Sequence, residues 1–159
     1  MHDDISLTLG RVKRVLEERI RPAIHPVSLP LEVQWHELPG EPIAPAEAMG
    51  LDFTDYSVGT VWGAAWGTTW FRLRGTVPSQ WAGKRVEVLI DLGFDKNMTG
   101  FQCEGLVYRS SGTTVKSINP RNQWIPVVDP AGGGEEVEYF VEAAANPVLL
   151  DYHPFLPTS

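Results

Sequence analysis

Trp62-Gly63-Ala64-Ala65-Trp66-Gly67-Thr68-Thr69-Trp70-Phe71-Arg72, continued by Leu73-Arg74-Gly75-Thr76-Val77, is the stretch that decides the fold. From Thr68 to Val77 the residues alternate: Thr69, Phe71 and Leu73 share one side, while Trp70, Arg72 and Arg74 share the other. A period of two over this length predicts a strand. Working outward, Leu31, Val33 and Trp35 alternate with Glu32, Gln34 and His36. Val86, Val88, Ile90 and Leu92 alternate with Arg85, Glu87, Leu89 and Asp91. Phe101, Cys103, Gly105 and Val107 define a further strand that ends at the Ser110-Ser111-Gly112 turn. Thr113 to Ile118, Gln123 to Val128 and the run around Val137, Tyr139 and Val141 complete the pattern, with Val148 to Tyr152 as a closing strand. A parallel α/β fold needs a helix between successive strands, and none is predicted here. Short strands separated by turn signals predict a mainly β fold, a β-sandwich or jelly roll.

One helix is predicted ahead of the strands, over residues 1–22, with the sandwich taking 23–159. Ile5, Leu9, Val12, Leu16 and Ile20 fall on one helical face. Lys13 with Glu17, Arg14 with Glu18 and Glu17 with Arg21 are i,i+4 pairs on the other side. Asp3, Asp4 or Ser6 is placed to cap the start, and Pro22 is expected to stop the helix. Pro39 to Gly50 reads as a surface loop with a short helical turn at Ala46 to Met49. Gly132 to Gly134 does not open a helix, so it reads as a hairpin turn rather than a phosphate cradle.

The totals exclude several function classes. The chain of 159 residues is long enough for one domain with a hydrophobic core, and 43% hydrophobic residues argue against disorder. A net charge of −7 disfavours nucleic-acid binding, which needs a basic face. No run of apolar residues resembles a signal peptide or a membrane span, so no membrane partner is expected. A single cysteine, Cys103, rules out an intrachain disulfide and a cysteine-based zinc cage. A cytoplasmic location is the expectation that follows.

Chemistry-bearing motifs are sparse. His2, His25, His36 and His153 are scattered, without a second ligand at metal spacing. Gly-x-Ser-x-Gly and the phosphate-binding Gly-x-x-x-x-Gly-Lys-Ser/Thr are absent. Cys103 sits in an apolar strand without a nearby His and reads as a buried, inert thiol. Asp91, Asp95 and Glu104 have two readings: contact with a sugar hydroxyl or calcium, or capping of turns, which is favoured. A small enzyme built on Asp95 and Glu104 is disfavoured, since no other site residues accompany them. The three indoles Trp62, Trp66 and Trp70 suit stacking on sugar faces and equally suit core or interface packing, which is favoured.

These residues also carry a resemblance. Trp62 to Arg72, Val86 to Phe94, Phe101 to Tyr108, Asn119-Pro120-Arg121-Asn122 and the helix ending in Glu18-Arg19-Ile20-Arg21-Pro22 resemble, in this order, the N-terminal region of α-mannosidases of glycoside hydrolase family 38, of the large cytoplasmic or vacuolar type. The resemblance implies a galactose-binding-like jelly roll. It also implies a longer parent, whose zinc-dependent retaining catalytic domain follows this region and hydrolyses terminal α-mannosides of glycans. None of that domain's motifs lies between Met1 and Ser159, so no catalytic or metal-binding residue is assigned here and no cofactor is expected in this region. The expected role is a non-catalytic accessory domain whose partner is the catalytic domain of the same polypeptide. The alternative is a free-standing carbohydrate-binding module that takes mannose-containing glycans. Trp62, Trp66, Trp70, Asp95, Glu104 and Arg121 are the candidates for carbohydrate or domain-interface contact. An exposed apolar patch would also favour a homo-oligomer.

Overall fold

The computed structural model describes residues 4–95, 97, 98, 100 and 102–147. The chain divides into two compact units at Leu31.

In the first unit, α1 spans Ile5–Val15, a π-helical turn spans Leu16–Ile20, and α2 spans Arg21–Ile24. Asp4 caps the start, its carboxylate accepting from the Leu7 N–H at 3.0 Å and from the Ser6 hydroxyl at 2.8 Å. Pro22 does not stop the helix as expected. Proline removes an N–H and crowds the carbonyl four residues back. Here the preceding turn is already widened, with the Arg21 N–H bonding to the Leu16 carbonyl, and Pro22 sits in the first turn of α2. The Glu17 and Arg21 pair forms at 3.0 Å.

The second unit is the sandwich. Its strands are β1 (Glu32–Glu37), β2 (Thr54–Asp55), β3 (Thr68–Thr76), β4 (Val86–Leu89), β5 (Glu104–Arg109), β6 (Thr114–Ile118), β7 (Trp124–Val128) and β8 (Glu136–Ala144). A six-stranded sheet has the order β2-β1-β3-β8-β5-β6, and a smaller sheet pairs β4 with β7. Every pairing is antiparallel. The mainly β sandwich expected from the alternation is the fold observed. The two-residue β2 had no alternation to reveal it, and Val148 to Tyr152 lies outside the described residues.

The pairing of β3 with β8 runs in unbroken register from Thr68 opposite Ala144 to Thr76 opposite Glu136. On the inner face Phe71, Leu73, Val107, Val137, Tyr139 and Val141 meet Val86, Val88 and Ile125 of the small sheet. The outer face is covered too. Trp70, Tyr108 and Phe140 form a second cluster with Leu38 and Ala48, backed by Ile43, Met49, Leu51 and Phe53. The segment expected as a surface loop is therefore a cover. Its helix α3 (Pro45–Ala48) places Ala48 at zero exposure.

The Gly132–Gly134 turn also differs from expectation. It joins β7 to β8, which lie in different sheets, so it is a corner rather than a hairpin. The Gly132 and Gly133 N–H groups donate to the carboxylate of Glu135, which holds that carboxyl below the ordinary range. Gly133 has φ +85°, and a Cβ there would lie 2.7 Å from the Ser79 Cα. We expect Gly133→Ala to cost more than ~1 kcal/mol of stability, through both strain and clash. Ile125→Ala, which empties a fully buried position, should cost about 2–5 kcal/mol. Urea unfolding of each variant, with unchanged m-value, checks both.

Candidate functional site

Strand direction gathers the candidate residues at one end of the sandwich. β3 and β5 begin there, and β1, β6 and β8 end there. The connections arriving at that end are the segment before Thr68, the segment between Leu89 and Glu104, and the 119–123 turn between β6 and β7. Trp62, Trp66, Asp95, Glu104 and Arg121 all lie on them or at their margins.

The three indoles separate. Trp62 is buried, its Nε1–H donating to the Leu92 carbonyl at 3.0 Å and its ring set edge-on to Phe71 at 5.4 Å. It therefore ties the connection before β3 to the one after β4. Trp70 is buried on the opposite face of the large sheet, stacked on Tyr108 at 5.5 Å. Its Nε1 has no hydrogen-bond partner. Trp66 alone of the three is open, with 59% of its surface exposed. Its backbone has φ +68°, in the left-handed region that non-glycine residues seldom occupy. That conformation is held by the Trp66 N–H to the Ala145 carbonyl at 2.9 Å, and by the Ala145 N–H to the Gly67 carbonyl at 2.9 Å.

The carboxylates at this end serve the loop. Asp91 accepts from the Gly93 and Phe94 N–H groups at 3.1 and 3.0 Å. Asp95 accepts from the Asn97 backbone and side-chain N–H groups at 2.8 and 3.0 Å. These are Asx turns, in which a short acidic side chain closes its own bend. Glu104 is exposed at the start of β5, opposite Ala144. Arg121 is exposed in the 119–122 turn, where its backbone N–H donates to the Asn119 side chain at 3.0 Å.

Gln102 is a residue that sequence reading missed. Its buried amide accepts from the Asp95 N–H at 2.8 Å and donates to the Asp95 and Met98 carbonyls, each at 3.1 Å. It thus satisfies a loop backbone that lacks a strand partner. The signal was one amide between Phe101 and Cys103, on a stretch that alternates toward the core through Cys103, Gly105 and Val107. Cys103 is buried against the Leu92 carbonyl, and burial, with the charges of Asp91 and Glu104 adding to it, pushes its thiol up to about 11.

On the outer face, Arg72 and Arg74 share the carboxylate of Glu138 at 2.6 and 3.0 Å. The Tyr108 hydroxyl donates to Glu142 at 2.9 Å, and burial together with that carboxylate raises the phenol to about 12. At the opposite end of the sandwich, a shallow cleft is lined by Arg109, Glu136, Glu138 and Tyr139.

Among the described residues, no three His, Cys, Asp or Glu side chains gather as ligands. His2 and His153 lie outside those residues. No described helix is long and apolar enough to cross a membrane.

Comparison with known proteins gives a family over most of the chain. Residues 29–158 match the family described as "Alpha-mannosidase, jelly roll domain". Alpha-mannosidase 2C1 of Homo sapiens is 28% identical over 152 residues, which cover 89% of this chain and 14% of that protein. Alpha-mannosidase G of Dictyostelium discoideum is 22% identical over 111 residues, covering 67% of this chain and 9% of that protein. The chain thus matches only a small fraction of the length of each relative.

Two outcomes are expected from this geometry. Trp62→Ala should destabilise by about 3–5 kcal/mol, whereas Trp66→Ala should stay within about 0.5 kcal/mol; chemical unfolding of the two variants checks this. The raised Cys103 thiol sets the second. The unfolded thiol ionises near 9.0 and the folded one near 11. The unfolded state therefore loses its proton first, and stability falls as pH rises from 9 to 11. The urea midpoint should drop more steeply across that window than in Cys103→Ala, where only groups such as Tyr108 still contribute.

Proposed function

Because this chain belongs to the family of α-mannosidase jelly roll domains, we propose that it is the non-catalytic accessory domain of an enzyme that hydrolyses terminal α-mannosides of glycans. Its partner is the catalytic domain of the same polypeptide, which carries the zinc and the nucleophile. The setting is cytoplasmic, in keeping with a lone buried thiol and no disulfide.

The observation that carries this reading is the state of Trp66. A left-handed backbone at a non-glycine residue costs roughly 1–3 kcal/mol, and an open indole adds exposed apolar surface. A glycine would meet the same backbone requirement without either cost. An indole at such a point is what a contact surface needs rather than what folding needs. Val58 and Val61, in the same connection between β2 and β3, are likewise exposed. The neighbouring acids support the same view, since Asp91 and Asp95 are engaged in loop closure. General acid–base catalysis needs carboxyl groups free to exchange protons with a substrate.

The isolated chain should release no product from an aryl α-mannoside, whereas the parent enzyme should do so in a chelator-sensitive manner. Trp66→Ala in the parent should weaken the association of this domain with the remainder, read as a separate and earlier thermal transition. Fluorescence titration of the isolated chain with mannose and mannobiose to millimolar levels should remain flat. A saturable signal lost in Trp66→Ala would sink the accessory reading and favour the carbohydrate-binding module.

A further inference from the structure

The connection between β2 and β3 is anchored by two aromatic rings. Tyr56 packs against Trp35 and Phe71, at 5.4 and 5.3 Å between centroids, and its hydroxyl donates to the Thr60 carbonyl. Trp62 is the second anchor, bonded to the Leu92 carbonyl. Between and beyond these anchors, Val58, Val61 and Trp66 stand exposed. The Ala64-Ala65-Trp66-Gly67 turn that closes the connection is clamped from two neighbouring strands. The Gly67 N–H donates to the Ala64 carbonyl at 2.8 Å, and Trp66 takes the third position with its positive φ. From the end of β1, the Glu37 carboxylate accepts the Ala64 N–H at 2.9 Å. Just past β8, Ala145 bonds to Trp66 through its carbonyl and to Gly67 through its N–H. Ala145 is fully buried. A Cβ on Gly63 would lie 2.6 Å from the Ala145 Cβ, so only small residues allow this approach.

Ala145 is also where the chain leaves the sandwich. β8 ends at Ala144, and Asn146 and Pro147 continue from a residue already bonded to the Trp66 turn. The residues that follow therefore set out from beside the exposed ring, and the relatives are much longer than this chain. We infer that Glu37 and Ala145 are positioning residues for an intrachain contact. They hold the Trp66 turn at the point of exit, so that the region following the sandwich in the same polypeptide seats on Val58, Val61 and Trp66. This inference rests on the accessory-domain reading and adds to it the face and the residues that set that face. Covalent continuity selects the partner. A region tethered beside the ring meets it at the high effective concentration that a short linker confers. A separate protein would first lose translational and rotational freedom. Glu37 acts as an acceptor and not as a charge, since it receives one backbone N–H. A neutral amide carbonyl can serve in its place.

Hydroxyl-radical oxidation, read at each tryptophan by mass spectrometry, tests this in the full parent enzyme. Trp66 should oxidise several-fold more slowly there than in the 159-residue chain. Glu37→Ala in the parent should raise that rate several-fold, and Glu37→Gln should keep the protection. In the 159-residue chain, Glu37→Ala should speed amide hydrogen exchange at Ala64 and Trp66 several-fold. Exchange across the β3–β8 ladder should stay unchanged, which separates a loosened turn from a loosened sandwich. An active parent in which Trp66 oxidises as fast as in the 159-residue chain would overturn the inference and leave the accessory reading standing. Equal effects of Glu37→Ala and Glu37→Gln would overturn the positioning role, because the acceptor would then not be what holds the turn. Saturable mannose binding by the isolated chain, lost in Trp66→Ala, would overturn the accessory reading itself and this inference with it.

Discussion

The pairing of β3 with β8 is the constraint on which the sandwich depends. It joins segments about 70 residues apart through a nine-residue register without a bulge. Each strand carries apolar side chains on both of its faces. Phe71 and Leu73 point to one side of the sheet and Trp70 to the other, and Val141 and Phe140 repeat the division across the pair. A sheet with apolar residues on both faces cannot leave either side to water. The small β4–β7 sheet closes the inner face. Among the described residues the outer face has no second sheet, and the Leu38 to Phe53 segment closes it instead. The positions of Ala48, Met49 and Phe53 follow from this need for cover rather than from helix propensity in a segment rich in proline and alanine.

The same constraint explains what could be read from the sequence alone. The strands flanking the inner core showed themselves by alternation, because one face is uniformly apolar over several residues. The cover did not, because its apolar residues are spaced to fit Trp70 and Phe140 and not to any period of their own. Pro22 misled for a related reason. Proline breaks a continuous α-helix, whereas the chain ahead of Pro22 has already changed its hydrogen-bonding pattern. The glycine corner misled because hairpin chemistry and sheet-to-sheet corners use the same residues. Only the strand pairing separates them, with β7 beside β4 and β8 beside β3 and β5.

The candidate residues were legible as a group but not by role. Their convergence at one end of the sandwich follows from strand direction, which a sequence does not give. Trp62, Trp66 and Trp70 are four residues apart in turn, yet they lie in the inner core, in the open and in the outer cluster. Two facts separate them. Trp70 lies within a strand and points away from Phe71, whereas Trp66 lies before that strand in a left-handed turn. The sequence signal for the second fact was the placement of Gly63 and Gly67 around Trp66, which marks a tight turn without saying which residue must take the strained conformation.

The two apolar features that remain open differ in kind, and the difference bears on how the chain is used. Trp66 is a large, exposed ring at a hydrogen-bonded turn, so it suits a preformed site on a partner that is always present. The apolar line of the N-terminal helix, from Ile5 to Ile24, belongs to the other unit of the chain and comes from helical spacing rather than from a strained turn.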